Sequence, residues 1–147
     1  MDISAAIMAG ALAFTSPDLS PGPGGFVGVE ARVGWLSLGA EARGIFFDGG
    51  TSALAAATSG SAGFSGLLVP CLRWKVLLGC GFVGTQGLTF STARGFETAH
   101  DGAQVFWGPR AGVDVPILGG FSLRGFADLT IQPQIGGYFG AGIAWSP

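Results

Sequence analysis

The sequence predicts an all-β chain, a closed antiparallel barrel of eight strands forming one domain over residues 1–147. Three observations predict it. Long stretches alternate strictly between apolar and polar residues, the period-two pattern of a strand whose faces meet different environments. The stretches come as hairpins in which opposite charges fall opposite one another. The connections between them alternate between tight turns and long runs of small or chain-breaking residues.

Taken in order, Ile3 to Thr15 is apolar on both faces and is assigned as the first strand. Its IMAGALAF run resembles the core of a signal peptide, but Asp2 stands where a positive n-region belongs. An exported protein would then need a leader ahead of this start. Ser16 to Gly25 (SPDLSPGPGG) reads as a long loop. From Phe26 to Trp35, Val27, Val29, Ala31 and Val33 alternate with Gly28, Glu30, Arg32 and Gly34. After a very short connection, Leu38, Ala40, Ala42 and Phe46 oppose Ser37, Gly39, Glu41 and Arg43. Folding this hairpin about Leu36-Ser37 sets Glu30 against Arg43 and Arg32 against Glu41.

Asp48 to Gly63 is a second long loop. Phe64 to Trp74 and Leu77 to Phe90 form a third hairpin with its turn at Lys75-Val76, although near-continuous apolar runs obscure its facing. Ser91 to Ala103 is the third long loop. The clearest hairpin spans Gln104 to Gln132, with Val105, Trp107, Pro109, Ala111, Val113, Val115 and Ile117 on one apolar face. Leu118-Gly119-Gly120 suits a three-residue turn. About Gly119, Arg110 faces Asp128 and Asp114 faces Arg124. A break at Pro133-Gln134-Ile135 leads to a last strand, Gly136 to Trp145.

Composition narrows the function classes. Only 11% of residues are charged and 48% are hydrophobic, against about 25% charged in a typical soluble domain. A net charge of −2 without a basic stripe gives nothing to neutralise phosphates, which excludes nucleic acid as a partner. Two cysteines are too few for a disulfide scaffold and match no metal spacing. His100 is the only histidine, so neither a ligand set nor a triad can be assembled. The glycine-rich pieces match no phosphate-binding spacing and no Gly-x-Ser-x-Gly elbow is present. No enzyme activity, cofactor or metal is implied.

No apolar run reaches the roughly 20 residues of a membrane-spanning helix, but strands of about 9–11 residues span a bilayer when tilted. Alternating long loops and short turns is the topology of a transmembrane β-barrel with loops outside the cell and turns in the periplasm. Closure also removes the unpaired edges that an open sheet with an oily face would leave. Trp35, Trp74 and Trp145 fall toward the turn end, while Phe46, Phe64, Phe90 and Trp107 fall toward the loop end. Two aromatic girdles are expected at lipid interfaces.

The hairpin FVGVEARVGWLSLGAEARG, the segment LVPCLRWKVLLGCGFVG and the hairpin GPRAGVDVPILGGFSLRGFADL resemble the small eight-stranded outer-membrane barrels of the OmpA/OmpX type. More narrowly, they resemble barrel domains of myxobacterial envelope proteins. The resemblance covers most of the chain after about residue 10 and implies a lipid-embedded barrel with a filled interior. Such barrels usually end on an aromatic residue, whereas Ser146 and Pro147 follow Trp145 here.

The candidate site residues are Glu30, Arg32, Glu41, Arg43, Arg110, Asp114, Arg124 and Asp128, joined by Arg73. An eight-stranded barrel is just wide enough for side chains to fill it, and pairing offsets the desolvation of ions placed there. These residues are read as a structural ion-pair network. A proton or ion path is the sharper alternative. General acid–base work is disfavoured, because each acid has a basic partner that holds it as a carboxylate. Cys71 and Cys80 fall opposite one another about Lys75-Val76, and a cross-strand disulfide is expected in an oxidising compartment. The reading is a monomeric, non-enzymatic barrel in the outer membrane of a Gram-negative cell. Its partners would be outer-membrane lipid and a surface ligand met through the long loops. The alternatives are a narrow channel for ions or small solutes, and a soluble lipocalin-like barrel with its faces reversed.

Overall fold

The computed structural model describes residues 3–16, 19–47, 61–92, 95–98, 104–131 and 136–147. They form β1 (Ile3–Ser16), β2 (Leu19–Val33), β3 (Leu36–Phe47), β4 (Ser61–Trp74) and β5 (Leu77–Thr92). There follow β6 (Gly95–Thr98), β7 (Gln104–Pro116), β8 (Phe121–Thr130) and β9 (Gly136–Trp145). All pairings are antiparallel, in the order β4-β3-β2-β1-β9-β8-β7-β5, and a further β4–β5 pairing closes the ring. The barrel is therefore eight-stranded. The short β6 stands outside the ring and extends β5 beyond its pairing with β7.

The faces are sorted as the alternation demands. Charged side chains are buried inside, and Val27, Val29, Leu38, Leu68, Val113, Leu123 and Ile143 are exposed on the outer wall. A water-soluble barrel with an apolar lumen would have the opposite arrangement, so the lipocalin-like alternative is overturned. Trp35, Trp74, Phe121 and Trp145 are exposed toward the turn end, and Phe64, Trp107 and Phe139 toward the other. The side chains of Phe46 and Phe90, and all of His100, lie outside the described residues.

Three expectations need correction. Ser16 to Gly25 is not a long loop: β2 already begins at Leu19, with Phe14 opposite Gly22 and Ser16 opposite Leu19. Glycine and proline read as chain breakers in the sequence, but the paired backbone of β1 and β2 accommodates them in extended conformation. Ser91 to Ala103 likewise contains strand, since β5 runs to Thr92 and pairs with β6. Finally, the β2–β3 hairpin turns at Gly34-Trp35 instead of Leu36-Ser37. Gly34 adopts a positive φ of 58°, which glycine reaches without steric cost, and Val33 pairs with Leu36. Glu30 thus faces Gly39 and Arg32 faces Ser37, while Glu41 and Arg43 face Gly28 and Phe26. The shift is even, so every side chain keeps its expected face.

The other turns fall where the sequence places them. Lys75 at φ 55° opens the β4–β5 turn. Gly119 and Gly120, both at positive φ, complete the β7–β8 loop, in which Phe121 N–H donates to the Leu118 carbonyl. Ser146 fastens the C-terminal end: its N–H donates to the Gly120 carbonyl and its hydroxyl to the Ala5 carbonyl, both at 2.9 Å.

Candidate functional site

Among the described residues charge is concentrated in the lumen, and ring closure brings it together. Strands β2 and β7 stand opposite each other in the ring, as do β3 and β8. Inward-facing residues on them reach across the axis. Five of the six arginines in the sequence point there, and they form two layers with the four interior carboxylates.

The layer nearer the turns comprises Glu30, Arg32, Arg73, Asp114 and Arg124. Glu30 Oε1 accepts from Arg32 Nε at 2.6 Å and from Arg73 Nη1 at 2.9 Å. Its other oxygen accepts from Arg124 Nη1. Asp114 Oδ2 accepts from Arg73 Nη2 at 2.6 Å, Arg124 Nη2 at 2.7 Å and Arg32 Nη2 at 3.4 Å. Three guanidinium groups thus surround two carboxylates, leaving this layer one positive charge in excess.

The second layer comprises Glu41, Arg43, Arg110 and Asp128 and is neutral. Arg110 Nε donates to Asp128 Oδ1 at 2.6 Å, and Arg110 Nη2 donates to Glu41 Oε2 at 2.9 Å and Asp128 Oδ2 at 3.0 Å. Arg110 Nη1 completes a two-pronged grip on Glu41. Arg43 Nη2 joins Glu41 at 3.0 Å and Asp128 at 2.6 Å. The Arg43 and Asp128 side chains are both 0% exposed. Aromatic rings hold the guanidinium planes: Arg110 lies 4.1 Å and Arg43 5.3 Å from the Phe126 centroid, and Arg43 lies 5.2 Å from that of Tyr138. Such contacts strengthen when desolvated.

Cross-strand register brings Arg110 to Asp128 and Asp114 to Arg124, as the sequence pairing has it. It does not bring Glu30 to Arg43 or Arg32 to Glu41. Those four residues find partners across the lumen instead, in Arg124, Asp128, Asp114 and Arg110. Cys71 and Cys80 face each other and form a disulfide, with Cα atoms 4.1 Å apart.

Sequence reasoning missed the apolar half of the lumen. Met8, Leu12, Phe26, Ile45, Phe126 and Tyr138 form one buried cluster, and Leu67, Val69, Cys71, Phe82 and Phe106 form another. The signal was present in the strands whose two faces both read as apolar. In β1, β4 and β5 the second apolar face is the one that packs inside. Where the two ionic layers meet, the space bounded by Met8, Glu30, Glu41, Val69 and Arg110 amounts to about 10 Å³. That is room for about one water molecule.

The described residues form a closed eight-stranded ring, apolar outside and holding an ionic network between apolar clusters inside. The chain shares this fold with solved outer-membrane barrels. It superposes on Neisserial surface protein A (NspA) with a TM-score of 0.73 at 9% identity, over 97% of this chain and 96% of that one. The Yersinia pestis outer membrane protein Ail, in a phospholipid bilayer nanodisc, matches with a TM-score of 0.64 at 11% identity, over 99% of this chain and 100% of that one. No protein-family model and no curated sequence matches the chain.

Proposed function

We propose that the chain is a non-enzymatic barrel of the OmpA/OmpX type in a Gram-negative outer membrane. Its interior ion pairs serve as a structural plug, and it acts by anchoring its loop end at the cell surface. The observation that carries this reading is the inverted polarity of the wall: Ile7, Val29, Leu38, Leu68 and Ile143 face outward while nine ionic side chains pair inside. Only a hydrocarbon surrounding makes such an outer face favourable, because an alternating strand in lipid must turn its apolar side outward. Strands of 14–16 residues, such as β1, β2 and β5, exceed the roughly 9–11 needed to span, so the barrel projects past the bilayer on its loop side. A surface partner met through the loops fits this projection.

The channel reading is weaker because five guanidinium groups and four carboxylates pair across the lumen, and the cavity between their two layers has room for about one water. The deciding experiment is refolding from urea with and without detergent micelles, followed by circular dichroism and by gel mobility before and after boiling. We expect β-structure and a heat-sensitive mobility shift only with detergent. A monomeric, β-rich protein in plain buffer would overturn the membrane reading. Planar bilayers containing the folded protein should show no conductance steps at modest voltage; steady steps would restore the channel.

A further inference from the structure

The barrel wall carries an interruption in one of its seams. Along the β4–β5 seam, pairing runs to Leu68–Val83 and resumes at Cys71–Cys80. The interruption falls at Pro70, opposite Gly81, because proline has no N–H to give to the ladder. Gly79 and Gly81 leave the outer face bare at this point, with open space where a Cβ would stand. Leu36 and Leu72, paired across the β3–β4 seam, rise on the turn side of Pro70. The result is a depression of about 430 Å³ on the outer wall, with the disulfide and Arg110 behind it.

We propose that this depression holds one acyl chain of a phospholipid in the leaflet at the turn end, with the lipid phosphate at Lys75. The site is continuous with the lipid-facing wall, and its rim is hydrocarbon, so hydrocarbon is what fills it. Its depth selects the leaflet: Leu36 adjoins Trp35, and Leu72 stands two residues from Trp74, both exposed in the turn-end girdle. The charge selects the headgroup. Lys75 is the only lysine in the sequence and sits in the β4–β5 turn, three residues beyond Leu72 and four before Gly79 of the lining. Its ammonium lies 5.8 Å from the Trp74 ring centroid, where a long cationic side chain reaches the headgroup region.

The inference rests on the membrane reading, and one experiment separates them. The folded protein is placed in vesicles of phosphatidylethanolamine and phosphatidylglycerol doped with a phosphatidylethanolamine bearing a diazirine on its acyl chain. After irradiation, labelled residues are mapped by mass spectrometry. Leu36, Pro70 and Leu72 should be labelled several-fold above Ile7 and Ile143, which are comparably exposed on the far wall. The enrichment should vanish in Gly79→Leu/Gly81→Leu, whose new side chains occupy the open space, and fall in Lys75→Gln, which alters only an exposed turn residue. Uniform labelling around the belt, or enrichment that survives both variants, overturns the site and leaves the membrane reading standing. Absence of labelling anywhere on the belt overturns both.

Discussion

Arg110 is the residue on which the neutral ionic layer depends, and its removal gives the sharpest test of the plug. Arg110→Met keeps most of the volume but deletes the bonds to Glu41 and Asp128 and the contact with Phe126. Two buried carboxylates would then share one guanidinium group, that of Arg43. Removing one partner from a buried ion pair costs about 3–5 kcal/mol, since the remaining charge is left uncompensated. The same logic predicts a rescue. Glu41→Gln on its own is destabilising, but in the Arg110→Met background it removes the surplus negative charge, and the double variant should regain about 1–3 kcal/mol. The assay is urea unfolding of the folded protein in micelles, followed by tryptophan fluorescence, with gel mobility confirming the folded fraction. The reasoning is refuted if Arg110→Met lies within about 0.5 kcal/mol of wild type, the range of an ordinary surface change. It is equally refuted if Glu41→Gln costs as much in the Arg110→Met background as in the wild type.

Other positions should respond in ways that depend on their layer or face. Arg32→Met should change unfolding stability by less than about 0.5 kcal/mol, because its layer has a spare guanidinium and its side chain is 19% exposed. Leu38→Arg, on the outer wall at 55% exposure, should cost about 2–4 kcal/mol in a bilayer if it lies near the midplane; a negligible cost in vesicles would contradict the lipid-facing assignment. Gly140→Val should cost about 1–3 kcal/mol through overpacking, since any Cβ there meets the Phe126 ring, and Phe126→Leu should relieve it in the same unfolding assay. Cys71→Ser/Cys80→Ser should lower stability by about 2–3 kcal/mol on the loop-entropy argument for a separation of 9 residues, measured against the oxidised protein.

What the sequence disclosed follows from what periodicity measures. Alternation reports which face a residue occupies, and every charged site residue occupies the face assigned to it. Hairpin arithmetic reports register only as well as the turn is known. At Leu118-Gly119-Gly120 the glycines mark the turn, and a turn at Lys75-Val76 sets Cys71 opposite Cys80, so Arg110–Asp128, Asp114–Arg124 and Cys71–Cys80 could be paired from spacing. At Gly34-Trp35 the tryptophan disguised a two-residue turn, and the pairing moved by four positions. Contacts across the lumen were not legible at all. Whether Glu41 meets Arg110 depends on the ring's stagger and tilt, which belong to the closed barrel and to no single hairpin.

That dependence gives the ion pairs a role that their strength alone would not. Buried salt bridges are weak evidence of stability, since apolar residues of like volume often serve as well. Here the geometry of the pairing matters more than its energy. Arg43–Asp128 and Arg110–Glu41 join residues 85 and 69 positions apart, and Arg124–Glu30 and Arg32–Asp114 join residues 94 and 82 apart. None of these contacts can form in an isolated hairpin or an open sheet. In lipid, an open sheet would strand both its edges and these ions, whereas one register and one ring size satisfy them together. The requirement also accounts for the use of arginine throughout the interior, with the single lysine left at a turn. A rigid, permanently charged fork can grip carboxylates on two strands at once, while an ammonium on a flexible stem is a single point of charge. Pairing across the lumen would therefore discriminate against misassembled barrels, a role separate from any net stability it contributes.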